Sequence, residues 1–275
     1  MKIMICTDGS SGSVQSGELV ARFRFPSDTL ITVLGVSEQQ NDSVKLNAAM
    51  DLIDKALGKK YKLDRIIRRG NPIDEIISEA LETPCDLVAV GGGGGQMGLL
   101  HPRLGSTTSK LARRLHTHFL VTRNIPEKIS KVLICAGEEA PSNLTMRLGG
   151  KWLVNTSAEI GLLHVLPKSA KPINKPVATD HETMDSASRM SEARDTLLSR
   201  ASQQLRSVGI ISPIVTKIRY GLVVDEVIKE LTEGEYDLLV VGAHYQPGQD
   251  RWQETLIDDI TDQLLNRSAC SVLII

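Results

Sequence analysis

A chain of 275 residues holds enough sequence for two cores of ordinary domain size. Its 32 basic and 33 acidic residues leave a formal net charge of −1, and no basic tract stands out, which argues against nucleic acid as a partner. No apolar run approaches the roughly 20 residues needed to span a bilayer, and the chain opens directly on a buried-type strand, so no membrane, no signal peptide and a cytoplasmic location are expected.

In chain order, strands are predicted at Lys2–Thr7, Leu30–Val36, Leu63–Arg69, Leu87–Gly91 and Phe119–Arg123. Runs such as Ile3-Met4-Ile5-Cys6 and Leu30-Ile31-Thr32-Val33-Leu34 are continuously apolar or β-branched. Such runs suit central parallel strands covered on both faces. Helical spacing fills the gaps at Ser10–Arg22, Ser43–Leu57, Pro72–Leu81 and Ser106–Leu115. Leu46, Met50, Ile53 and Leu57, for example, form one apolar stripe. Alternating strands and helices imply an open parallel sheet with helices on both faces.

Asn124–Ser130, which contains Pro126, reads as a linker, and the pattern then repeats from Lys131 to Ile275. Ile5-Cys6 matches Ile134-Cys135 and Val36 matches Val165, an offset of 129 (135 − 6). Gly70 with Asp74-Glu75 matches Gly221 with Asp225-Glu226, an offset of 151 (221 − 70). Asp86-Leu87-Val88-Ala89-Val90 returns at the same offset as Asp237-Leu238-Leu239-Val240-Val241. The second copy therefore gains 151 − 129 = 22 residues, in a polar stretch from Pro167 to about Met190 that reads as a surface excursion. The period is too long for a solenoid and suits two domains, 1–123 and 131–275.

In a doubly wound sheet, ligands bind beyond the C-terminal strand ends where the strand order reverses. Two informative loops fall there: Cys6-Thr7-Asp8-Gly9-Ser10 after the first strand, and Gly91-Gly92-Gly93-Gly94-Gly95 after the fourth. Glycine lets the backbone approach an anion and point successive N–H groups into one concavity. Ten residues past Gly95, Gly105-Ser106-Thr107 opens a helix whose free N–H groups and dipole favour the same anion. The plainer alternative makes Ser106 an N-cap and the glycines a loop. Asp8 is badly placed for phosphate but suited to a ribose hydroxyl or a base amine; alternatively it caps the helix that follows. In the second half Gly137 takes the place of Asp8, and the loop from Ala243 to Asp259 has one glycine, Gly248. Toward the last strand the offset grows to 153 (Phe119 to Val272, 272 − 119), setting Asp258 and Asp259 opposite Gly105 and Ser106. Loss of both features together suggests that they served one ligand.

Other groups carry less. No GxxxxGK[ST] is present, and no GxGxxG follows a first strand. His101 and Arg103 lie in the glycine loop and read as a solvated tip. His116 and His118 lack a third metal ligand nearby, and His244, Asp250 and Glu254 support no specific proposal. Arg113-Arg114 reads as compensation of a helix dipole. Cys6, Cys85, Cys135 and Cys270 form no CxxC pair and are expected to be free thiols.

These residues resemble the universal stress protein family in its tandem form. The family's nucleotide signature is Gly, two residues, Gly, nine residues, Gly, then Ser or Thr, and Gly92, Gly95, Gly105 and Ser106 fit it. Thr7-Asp8-Gly9-Ser10 is also typical. The chain departs from the family at Gly91, which directly follows the strand as the family's first glycine does; counted from Gly91, the gap to Gly105 is one residue too long. The resemblance implies two tandem open five-stranded parallel sheets of the adenine-nucleotide alpha-hydrolase-like, Rossmann-like type, packed as an internal pseudo-dimer through Phe119–Arg123 and Ser271–Ile275. It implies ATP or AMP in the first domain, with Cys6, Thr7, Asp8 and Val36 at the adenosine end. Gly91, Gly92, Gly95, Gly105, Ser106 and Thr107 would surround the phosphates, with Mg²⁺ or Mn²⁺ held through them. A stress-response role, an unidentified protein partner and a further homodimer follow from the same resemblance. No general base and nucleophile pair is legible, so at most slow ATP hydrolysis is expected. Two rivals remain. One is an interaction module with an empty site. The other is a related adenine-nucleotide hydrolase, whose SGGxDS-type loop Thr7-Asp8-Gly9-Ser10-Ser11-Gly12 does not match.

Overall fold

The computed structural model describes residues 1–39, 42–92, 104–137, 140–168, 196–243 and 259–275. The first half runs β1 (Lys2–Thr7), α1 (Ser11–Arg22), β2 (Leu30–Ser37), α2 (Ser43–Leu57), β3 (Lys62–Arg69), α3 (Pro72–Glu82), β4 (Leu87–Gly91), α4 (Ser106–Arg114) and β5 (His118–Thr122). The second runs β6 (Lys131–Cys135), α5 (Ala140–Leu153), β7 (Glu159–Leu166), α6 (196–207), β8 (Ile214–Tyr220), α7 (Val223–Gly234), β9 (Leu238–Val241), α8 (Asp259–Arg267) and β10 (Ser271–Ile274). Local signals explain the helix starts: Asn71 accepts the Ile73 N–H ahead of Pro72 in α3, and Ser10 accepts the Ser13 N–H to open α1.

The two expected sheets are one. Ten strands lie in the order β3-β2-β1-β4-β5-β10-β9-β6-β7-β8, all neighbours parallel except β5 and β10. That antiparallel pair sets Phe119 against Ile274, Leu120 against Leu273 and Val121 against Val272. The strands expected to join the halves therefore do so within one chain. Alternate strand residues feed two apolar layers. Ile3 and Ile5 belong to the layer built with α1, α2, α5 and α6, while Met4 and Cys6 belong to the layer built with α3, α4, α7 and α8. Each layer runs across both halves.

The junction is also held by polar contacts. β5 ends one residue sooner than the sequence suggests, because Arg123 turns into the second half. Its backbone N–H donates to Ser271 Oγ, and its buried guanidinium donates to the carbonyls of Leu265 (2.8 Å) and Ser268 (2.6 Å). Across the helices, Arg113 pairs with Asp262 at 3.1 Å. Arg114 reaches Asp74, and its counterpart Arg267 reaches Asp225. The arginine pair thus answers carboxylates on other helices, in addition to sitting at a helix C-terminus.

Of the polar insert, only Pro167 and Lys168 fall among the described residues.

Candidate functional site

β1 and β4 are neighbours, with β2 and β3 on one side and β5 on the other. The loops after β1 and β4 therefore open at the switch point, where such sheets bind ligands. The first loop is tightly built. Thr7 is buried, and its Oγ1 shares a hydrogen bond of 2.7 Å with Ser13 Oγ and accepts the Gly9 N–H at 3.0 Å. Gly9 has φ +81°, a left-handed turn that suits glycine. Asp8 does not cap α1. Ser10 does, and Asp8 Oδ1 accepts the Ser10 N–H at 2.9 Å instead. Burial by itself would raise the Asp8 carboxyl; hydrogen bonds from Ser10 and Ser13 outweigh it and hold its pKa below the ordinary value. Asp8 is thus an exposed, ionised acceptor at the mouth of the crevice. Val36 lies one residue beyond the last β1–β2 pair, Thr7–Gly35.

The second loop begins at Gly91, the last residue of β4. A Cβ there would lie 2.5 Å from the Gly12 carbonyl oxygen in α1. A Cβ on Gly92 would lie 2.8 Å from both the Thr122 carbonyl oxygen and Arg123 Cγ. These two glycines are demanded by the approach of neighbouring backbone, whatever binds beside them. Gly92 N–H donates to the Thr122 carbonyl, Gly105 N–H to the Gly92 carbonyl, and Thr108 Oγ1 to the Gly91 carbonyl. Together these bonds pin the start of α4 to the end of β4. Gly105 is the N-cap residue and Ser106 the first helical one, so no side chain caps this helix. Its first turn has no acidic residue and offers uncapped N–H groups beside the β1–β4 crevice. The structure therefore brings Cys6, Thr7, Asp8, Gly91, Gly92, Gly105, Ser106 and Thr107 to one end of the β1–β4 pair. Gly95, His101 and Arg103 lie outside the described residues.

The second half is built the same way up to its loops. Gly242, just past β9, corresponds to Gly91 at the end of β4, its carbonyl accepting from Thr261 Oγ1 as that of Gly91 accepts from Thr108 Oγ1, but the first turn of α8 carries Asp259 and Asp262. Carboxylates there satisfy the helix dipole from within the protein and repel a phosphate. His244, Asp250, Glu254 and Asp258 lie outside the described residues.

The universal stress protein family model matches the chain twice, over residues 1–123 and 128–275. The chain belongs to the universal stress protein family. A universal stress protein from Archaeoglobus fulgidus is 14% identical, with 99% of this chain and 97% of that one covered and a TM-score of 0.63. A functionally unknown protein from Pseudomonas aeruginosa PAO1 is also 14% identical, with 100% and 92% covered and a TM-score of 0.70. At such identities the likeness concerns the fold. No curated protein matches the chain.

Within this universal stress protein, three site features escaped the sequence reading. Lys45, in the first turn of α2, lays its aliphatic stem over Gly9, where a Cβ would meet its Cγ at 2.8 Å. It brings a cation to the crevice. The available signal was its place just after the second strand, at the same sheet end. Ser13 is the second, since it locks Thr7. Arg123 is the third: it lies against Gly92 and ties that loop to the second half. The thiols are not poised as nucleophiles. Burial pushes Cys6 up, Cys85 to about 11 and Cys135 to about 12. Among the described residues, no three His, Cys, Asp or Glu side chains gather to hold a metal, and no helix is long and apolar enough to cross a membrane.

Proposed function

We propose that the first domain binds one adenine nucleotide, ATP or AMP, and that the second serves as its structural partner in a stress-response protein. The observation that carries this reading is the contrast between α4 and α8. α4 starts uncapped and free of acids behind a glycine-walled strand end, while α8 starts on carboxylates. Phosphate oxygens would accept from the first turn of α4 and from Ser106 and Thr107. Asp8, held ionised, would accept from the ribose or the base, and Lys45 would add a positive charge. A Mg²⁺ or Mn²⁺ ion would be held through the phosphates. The test is calorimetric titration of nucleotide-stripped protein with ATP, AMP and GTP in Mg²⁺, beside a Gly105→Asp, Ser106→Asp variant that copies the second half. One adenine nucleotide per chain, with affinity reduced by about a hundredfold or more in the variant, is expected from two carboxylates facing phosphate. No binding by the parent chain would end this reading in favour of an interaction module. Turnover equal in parent and variant would exclude hydrolysis at this site.

A further inference from the structure

At the far end of α1, 12 residues and so about 18 Å of helix away from the nucleotide crevice, a cavity of about 580 Å³ opens between the halves. Its walls come from the end of α1, the segment leading to β2, Tyr61 ahead of β3, the linker at 127–129 and Thr156 of the second half. It thus lies at the N-terminal edge of the sheet. Its volume is that of a small-molecule pocket.

Two features of the wall point to one class of ligand. The first is aromatic. The chain has only three Phe, four Tyr and two Trp, yet four of these nine gather here. Phe25 stacks on Phe23 at 5.6 Å, leans on Tyr61 at 6.1 Å and meets the edge of Trp152 from the second half at 5.9 Å. Rings that only seal an interface bury their surfaces, but Phe25 and Tyr61 stay half-buried and line open volume. The second feature is charge. Among the described residues, Arg24, Lys60 and Lys128 stand on the rim and make no ion pair, and Glu127 is the single acidic residue on the wall. Arg22 is already engaged, donating to the carbonyls of Pro126 and Glu18. Two partly exposed rings, Phe25 and Tyr61, backed by Phe23 and Trp152 and lining one cavity with cations that make no ion pair, favour a ring that carries an anion.

We infer that this cavity is a second ligand site, independent of the nucleotide crevice, that takes an aromatic organic anion such as a ring carboxylate or sulfonate. The occupant would touch both halves and the linker.

The experiment is fluorescence titration of the full chain with anilinonaphthalene sulfonate, and with neutral phenylnaphthylamine for comparison. Saturation at one site per chain is expected, with the neutral probe bound more weakly. Ser27→Trp, a surface change that fills the cavity, should abolish saturable binding. Lys60→Glu with Lys128→Glu should weaken the sulfonate about tenfold, since two attractive charges become repulsive in a half-exposed site. Both probe affinities should survive Gly105→Asp, Ser106→Asp. Unchanged affinity in Ser27→Trp, equal binding of both probes, or loss in the crevice variant would each overturn the inference. All three variants alter exposed or loop positions, and circular dichroism of each checks that it is folded.

Discussion

Arg68 and Arg219 stand 151 positions apart and make the same contacts in the two halves. Arg68 reaches Glu79 at 2.6 Å, Glu82 at 2.5 Å and Glu75 at 3.8 Å, all on α3. Arg219 reaches Glu230 at 2.6 Å, Glu233, and Glu226 at 3.6 Å, all on α7. Each arginine fastens its edge strand to the following helix around a buried carboxylate. Beside this shared clamp, the ligand-facing ends have parted, with an uncapped glycine start on α4 and an acidic start on α8. The frame and the site are therefore separable. Packing demands the frame in both halves and fixes Gly91 and Gly92 at the strand end, while nothing in that packing demands the uncapped, acid-free start of α4.

The strongest way to break the comparison is to remove the buried carboxylates. Glu230 is 1% exposed and also accepts from Lys217 and from Tyr236, whereas among the described residues the Glu79 carboxylate meets Arg68 alone. Glu230→Ala should cost about 3 kcal/mol and Glu79→Ala about 2 kcal/mol in urea unfolding, since the cations left behind remain partly solvated. Equal losses would mean that the extra partners of Glu230 add nothing. Burial raises the Glu230 carboxyl, but its bonds with Lys217 and Arg219 outweigh that and hold it below its ordinary 4.5. Its contribution is thus complete above about pH 4.5 and fades as the pH falls further.

Gly91 and Gly242 sharpen the contrast at the strand ends. A methyl on Gly91 meets the Gly12 backbone, which cannot move aside, whereas on Gly242 it meets the Thr145 hydroxyl. Gly91→Ala should cost about 2 kcal/mol and Gly242→Ala less than about 1 kcal/mol by thermal melting. A reversed order would show that the first loop yields more easily than its packing implies.

One difference invites transplantation. Tyr236 fills the space over Gly161 and reaches Glu230 at 3.2 Å. The equivalent positions in the first half are Cys85 (236 − 151) and Thr32 (161 − 129), which line a small cavity beside Glu79. Cys85→Tyr with Thr32→Gly should stabilise the chain by about 1 kcal/mol in chemical denaturation. A loss would show that the two halves do not tolerate each other's core.

The last contrast concerns the seam. His118 Nδ1 accepts the Trp152 Nε1–H at 2.9 Å across the halves, and burial holds its pKa below 6.5 against the raising field of Asp86. The ring is therefore neutral when folded, and its contribution is present above pH 6.5 and lost as the pH falls. His118→Gln should flatten that slope in melts between pH 7 and 5, and Trp152→Phe should cost about 1 kcal/mol at neutral pH. An unchanged slope in His118→Gln would assign the pH response elsewhere.

Much of this architecture was legible because its signals are local. β1, β4 and α2 coincide with their predicted bounds, since apolar runs and a 3.6-residue stripe report short-range geometry. The resemblance to the universal stress protein family implied the β5–β10 pairing, and the alternation of strands and helices implied the crevice between β1 and β4. The rest needed three dimensions. Arg123 meets Leu265 across 142 positions and Trp152 meets His118 across 34, distances over which no periodicity speaks. Ser10 takes the cap that Asp8 could also have filled, because the turn aims Asp8 at the Ser10 N–H. Gly91 and Gly92 look like phosphate glycines in sequence, yet the approach of Gly12 and Thr122 is reason enough for them. Which segments are strands and helices, and which half kept its glycine loop, can be read from neighbours along the chain. Which side chains meet across the sheet, and where the four aromatic rings converge, emerges only from the folded chain, since packing chooses among many pairings that the sequence allows equally.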